Sequence, residues 1–176
     1  MDKRSFKDHE LATVSEALDI AEDITGDFFK FSSGQWRRHA YDVKTLSSLS
    51  KKEMSPWAFA MLNKGMREVT GFESKTKNRD FYFICLQDDR ILKALKRDRE
   101  LGLLPLLVYI FTHELVHIVR FCNFLQRFEA GSKRRDREER IVHGLTFEIL
   151  KDLSVGKLDY VLDSYRNHRI CEVSFA

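Results

Sequence analysis

The sequence predicts a predominantly helical α+β fold with a small β-sheet packed on one long central helix, and three observations carry that expectation. Two prolines and eight glycines in 176 residues are too few breaks for a many-stranded chain. The stretch that begins at Pro105 projects apolar side chains in nearly every direction around a helix, the pattern of a helix in the middle of a domain. Phe81-Tyr-Phe-Ile-Cys-Leu86 is apolar throughout and rich in β-formers, which suits a strand covered on both faces. Apolar residues at 43% supply enough surface for a core, so 32% charged residues do not imply disorder. The length fits one domain, with residues 1–75 a helical and irregular N-terminal part, 76–155 the core and 156–176 a tail.

Taken in order, Leu11, Val14, Leu18, Ala21 and Ile24 recur at helical spacing and predict a helix from about Asp8 to Ile24, ended by Gly26. The alternation Tyr41-Asp-Val-Lys-Thr45 predicts a short strand. Ser55-Pro56 reads as a helix opening, with the apolar run Trp57–Met66 as the helix and Gly71 as its stop. After the strand Phe81–Leu86, residues 88–100 form an amphipathic helix through Ile91, Leu92 and Leu95. Gly102 breaks the chain before Pro105 opens the central helix, expected to run to about Phe128. Residues 130–137 read as a solvated turn, 137–153 as an amphipathic helix, and 158–165 as a last short one.

On the central helix stands His113-Glu114-Leu-Val-His117. Residues four apart lie one turn above each other, so both imidazoles point the same way about 5–6 Å apart, a spacing suited to one metal ion. Glu114 lies roughly 100° around the helix from His113, where it can reach a water instead of the metal. Burying three ionisable groups without partners would cost a few kcal/mol each, which a coordinated cation offsets. The bland alternative is a pair of satisfied core histidines. A second cluster, Glu138-Glu139-Arg-Ile-Val-His143, follows at a distance that allows a turn and an antiparallel return, and it favours the metal. Catalytic zinc takes three protein ligands. Glu139 is the chosen third, with Glu138 and His143 as alternates: Glu139 and His143 share a face, while Glu138 lies in line with Val142, Leu145 and Ile149.

His113-Glu-Leu-Val-His117 followed by a helix bearing Glu138-Glu-x-x-x-His143 resembles the gluzincin branch of zinc metallopeptidases over about residues 81–150. The resemblance implies a zincin-like fold binding Zn²⁺ through His113, His117 and Glu139, with Glu114 as general base and His143 one turn beyond the third ligand. It also implies a substrate-binding edge strand, for which Phe81–Leu86 is the counterpart. The chain departs from that pattern in carrying His rather than Asp or Asn at position 143 and in being short. The implied activity is hydrolysis of a peptide or protein substrate, with His143, Tyr160, Tyr165 or His168 available to stabilise an oxyanion. The alternative is a zincin-like interaction module that binds a structural metal without hydrolysis. A carboxylate-bridged di-iron bundle fits less well, because ExxH must occur twice and Glu139–His143 is one residue too long.

A formal charge of +3 selects no nucleic-acid partner. The run Lys133–Arg140 interleaves acids with bases, and Lys93, Lys96, Arg97 and Arg99 read likewise as a solvated face. No signal-peptide core is seen in the first 20 residues and no uncharged apolar stretch long enough to span a membrane, so the expectation is a cytoplasmic protein without a membrane partner. Cys85, Cys122 and Cys171 are odd in number and widely spaced, which suits thiols rather than a disulfide framework or a thiolate zinc site.

Overall fold

The computed structural model of the protein describes residues 3–38, 40–67, 79–123, 131–168 and 171–174. Helix α1 spans Asp8–Phe29 and buries Glu10, Val14, Ala17, Ala21 and Thr25 along one stripe. Gly26 does not end it. The helix runs one turn further, to Lys30 in the left-handed region at φ 55°. Gly26 instead permits close packing: a Cβ there would lie 3.2 Å from Trp36 Nε1 and 3.3 Å from the Phe31 carbonyl oxygen. A short helix, α2 (Ser33–Arg38), follows and sets Trp36 edge-on to Phe31.

Strand β1 (Tyr41–Lys44) appears where the alternation placed it. Two 3₁₀ turns follow, at Leu46–Ser48 and Lys51–Glu53. The helix expected over Trp57–Met66 is absent, and strand β2 (Ala60–Arg67) takes its place; Gly71 lies outside the described residues. The cap-like bonds do form, since the Ala58 amide donates to Ser55 Oγ at 3.1 Å. They are overridden by ladders on both sides of β2, one to β3 (Arg79–Leu86) and one to β4 (Cys171–Ser174), because context decides strand formation for residues of mixed propensity.

The sheet order is β1-β3-β2-β4. Strand β3 pairs parallel to β1 and antiparallel to β2, and β2 pairs parallel to β4. Strand β3 is therefore interior, and the edge position expected for Phe81–Leu86 belongs instead to β1 and β4. Nor is β3 covered equally on both faces. Tyr82, Ile84 and Leu86 are buried against the helical layer, whereas on the other side Cys85 is buried but Phe81 and Phe83 only half-buried. There Lys44 Nζ stands 4.4 Å from the Phe83 ring centre.

Helix α3 (Asp88–Arg97) opens with buried Asp88, whose carboxylate accepts the amides of Phe6 and Leu46, each at 3.0 Å. Helix α4 spans Leu103–Cys122 with Gly102 before it, so Pro105 is its third residue rather than its first; a first-turn proline lacks only an N–H that has no intrahelical partner. The described helix ends at Cys122, short of the expected Phe128, which lies outside the described residues. By length and composition α4 could cross a membrane, but 83% of its most apolar window is buried inside the fold.

Helix α5 spans Ser132–Leu150 and includes the charged run expected to be a turn; its interleaved charges tolerate a solvated helical face. Helix α6 covers Leu158–Tyr165. Helices α1, α5 and α6 and the sheet surround α4, and Tyr82 of β3 stacks on Phe121 of α4 with ring centres 5.8 Å apart. The result is a predominantly helical α+β fold with a small mixed sheet.

Candidate metal centre

His113, Glu114 and His117 lie on the middle turns of α4 and are almost wholly enclosed, at 0%, 0% and 1% exposure. The two imidazoles point the same way, with ring centres 5.0 Å apart. His117 also stacks on Phe121, itself stacked on Tyr82, so a column of rings fixes its plane.

Helix α5 returns beside α4 in the opposite direction, since its contacts run in reverse order: Glu138 meets Arg120, Glu139 meets His117 and His113, and His143 meets Tyr109. Arg120 clamps Glu138 through two bonds, Nε to Oε2 at 2.9 Å and Nη2 to Oε1 at 3.1 Å. This planar fork fixes register as well as adding attraction. It turns Glu138 away from the histidines and presents Glu139 to them.

The Glu139 carboxylate sits across both imidazoles: Oε1 is 3.1 Å from His117 Nε2, and Oε2 is 3.4 Å from His113 Nε2. Tetrahedral zinc with bonds of about 2.0–2.1 Å holds its ligands about 3.3–3.4 Å apart; the His113–Glu139 separation equals that, while the His117–Glu139 separation is shorter, at hydrogen-bond distance. At 3.4 Å the His113–Glu139 pair lacks hydrogen-bond geometry, and both atoms are buried without another bond. Burial pushes the Glu139 carboxyl up, but the nearness and charge of His113 and His117, with the His117 hydrogen bond, outweigh it and hold the group well below the usual carboxylate range.

Glu114 faces a different environment. Both its oxygens are buried without a hydrogen bond of good geometry, and burial raises its pKa against the pull of His113 and His117. Cys171 Sγ of β4 lies within 4.8 Å of a ligand atom of Glu114 and of His113. Burial, then the charge of Glu114, pushes that thiol well above its ordinary range.

His143 lies one turn beyond Glu139, its Nε2 3.8 Å from Glu139 Oε2 and its ring centre 4.8 Å from that of His113. Ligand atoms of His113, Glu139 and His143 all fall within 4.8 Å of one another. Burial, then the charge of His113, lowers the His143 pKa to about 4, and Tyr109 Oη lies 3.1 Å from its Nδ1. A phenol donating to Nδ1 leaves the proton of a neutral imidazole on Nε2, facing Glu139.

A cavity of about 810 Å³ opens along α5, with Glu139, His143, Phe147 and His168 in its wall. Of the tail residues named as oxyanion stabilisers, only His168 lines it. Tyr160 is exposed and donates to Asp98 at 2.8 Å. Tyr165 packs among Phe59, Tyr109 and His168.

Sequence reasoning missed Arg120, Tyr109 and Cys171. Arg120 had a signal, being a cation one turn past His117 on an apolar helix, which requires a buried anion nearby. Cys171 had none, because its approach depends on the unforeseen pairing of β4 with β2. Comparison with protein-family models, with curated proteins and with solved structures finds no match to this chain.

Proposed function

We propose that the chain is a zinc-dependent metallopeptidase of zincin-like design, acting on a peptide or protein substrate, with His113, His117 and Glu139 as metal ligands. The observation that carries this reading is the single carboxylate lying across two buried imidazoles on one side of α4, at 3.1 and 3.4 Å. A cation held there would polarise a scissile carbonyl and acidify a water. The chain's own groups supply the rest. Glu114, its pKa raised by burial, is suited to take a proton on its carboxylate and return it to the leaving amine. His143, steadied by Tyr109, can donate from Nε2 to a developing oxyanion.

A second reading, a zincin-like module with a structural metal and no hydrolysis, draws on one observation. Glu114 is completely buried, and the cavity beside the centre is lined by Glu139 and His143 but not by Glu114. Zinc analysis of purified protein together with Glu114→Gln separates the readings. The peptidase requires one zinc per chain and a peptide-hydrolysis rate about 10²–10⁴-fold lower in the variant, at unchanged zinc content. Zinc retained by a wild-type protein that cleaves nothing in a diverse peptide pool selects the module, and no zinc at all refutes both.

A further inference from the structure

The cavity along α5 carries chemistry that the candidate metal centre alone does not require. Its wall combines Glu139 and His143 with Arg140, Gly144, Phe147 and Arg166. Arg166 comes from the turn after α6, and its guanidinium stands 5.5 Å from the Phe147 ring centre, held over the cavity by cation–π attraction. Neither Arg140 nor Arg166 forms an ion pair among the described residues. Of the lining carboxylates, Glu148 pairs with Lys151 at 2.6 Å and Glu139 faces the histidines, which leaves Asp136 alone against two guanidinia.

Gly144 adds a second, independent observation. It sits inside α5, where glycine weakens a helix, yet a Cβ built there meets nothing within 4 Å. No close packing requires this glycine. What it does is keep the cavity wall low beside His143.

We propose that this cavity is the substrate subsite, that Gly144 keeps it open to a side chain, and that Arg140 and Arg166 select a substrate bearing a carboxylate next to the group held at the metal centre. This rests on the zinc reading above. A guanidinium receives a carboxylate through paired donors, and the shared wall of Glu139 and His143 places that recognition beside the reacting position.

The test uses metal-directed probes of two kinds on the full chain loaded with zinc or cobalt: acetohydroxamate, and the monohydroxamate of succinic acid, which adds a carboxylate arm. Dissociation constants come from calorimetry or from the cobalt visible spectrum. Wild type should bind the carboxylated probe at least about tenfold more tightly, the gain of one charge-assisted contact. The double variant Arg140→Ala/Arg166→Ala should lose that preference while binding acetohydroxamate as before. Gly144→Leu, which fills open space without a clash, should weaken only the longer probe. Equal binding of the two probes by wild type, or a preference that survives the double variant, overturns the subsite and leaves the zinc reading standing. Failure of the metal-loaded protein to bind either hydroxamate sinks both.

Discussion

Glu138 and Glu139 are adjacent in the chain, but α5 aims them at different partners, so Glu138→Gln and Glu139→Gln are matched perturbations with opposed consequences. Glu139 is 8% exposed and bridges His113 and His117 at 3.4 and 3.1 Å. The amide keeps its size and removes its charge. Removing one partner of a buried charge pair costs about 3–5 kcal/mol, and 1.4 kcal/mol is tenfold, so zinc affinity should fall about 10²- to 10³-fold or slightly more. Among the described residues Glu138 is ion-paired with Arg120, the two side chains being 14% and 12% exposed. Its amide should lower stability by about 1–2 kcal/mol and leave zinc affinity within about threefold. Competition against a chromophoric zinc chelator gives the affinities, and urea unfolding the stabilities. Equal affinity losses in the two variants, or a larger loss in Glu138→Gln, would refute Glu139 as the third ligand.

Other outcomes follow from Asp88, the helical glycines and His143. Asp88→Ala strips two backbone amides of their 3.0 Å acceptor and should cost about 2–4 kcal/mol in chemical unfolding, with Asp88→Asn losing roughly half because one acceptor oxygen remains. Burial raises the Asp88 carboxyl above its ordinary range despite those bonds. The folded chain thus binds that proton more readily than the unfolded chain, and this group's contribution to stability declines as pH rises through the window between the ordinary and raised values. The two helical glycines should diverge. Gly144→Ala, in open space, should stabilise by about 0.5–1 kcal/mol, whereas Gly26→Ala meets Trp36 and the Phe31 carbonyl at 3.2 and 3.3 Å and should lose that gain or about 1 kcal/mol more, as thermal unfolding will show. In metal-stripped protein, His143 with its pKa lowered to about 4 favours the neutral folded form. Stability should therefore be lost as pH falls from about 6.5 towards 4, a slope that His143→Phe should flatten.

The parts of this molecule legible in sequence are those governed by local spacing. The all-round apolar pattern of residues 105–122 identified the central helix, and the four-residue interval between His113 and His117 put both rings on one side of it. Glu139 could be favoured from its position but not separated from Glu138, because α5 could rotate to present either. That rotation is decided by Arg120, a contact from another helix. The sheet was harder. The chain Ala60–Arg67 has no alternation strong enough to announce a strand, and its state is set by two neighbours, one of them the distant β4. Gly26 misled for a related reason: it answers to the nearness of Trp36 rather than to a helix end.

Ala17 and Ala21 of α1, both at 0% exposure, belong to the stripe that this helix turns inward, and α1 packs extensively on α4. Side chains that small set how near the two axes can come. His113 and His117 ride on α4, so their separation from α5 depends partly on methyl groups with no chemistry of their own. Enlarging either alanine would push α4 sideways and shift both imidazoles against Glu139, which makes this helix pair a place where their spacing could be adjusted without touching any of the three side chains.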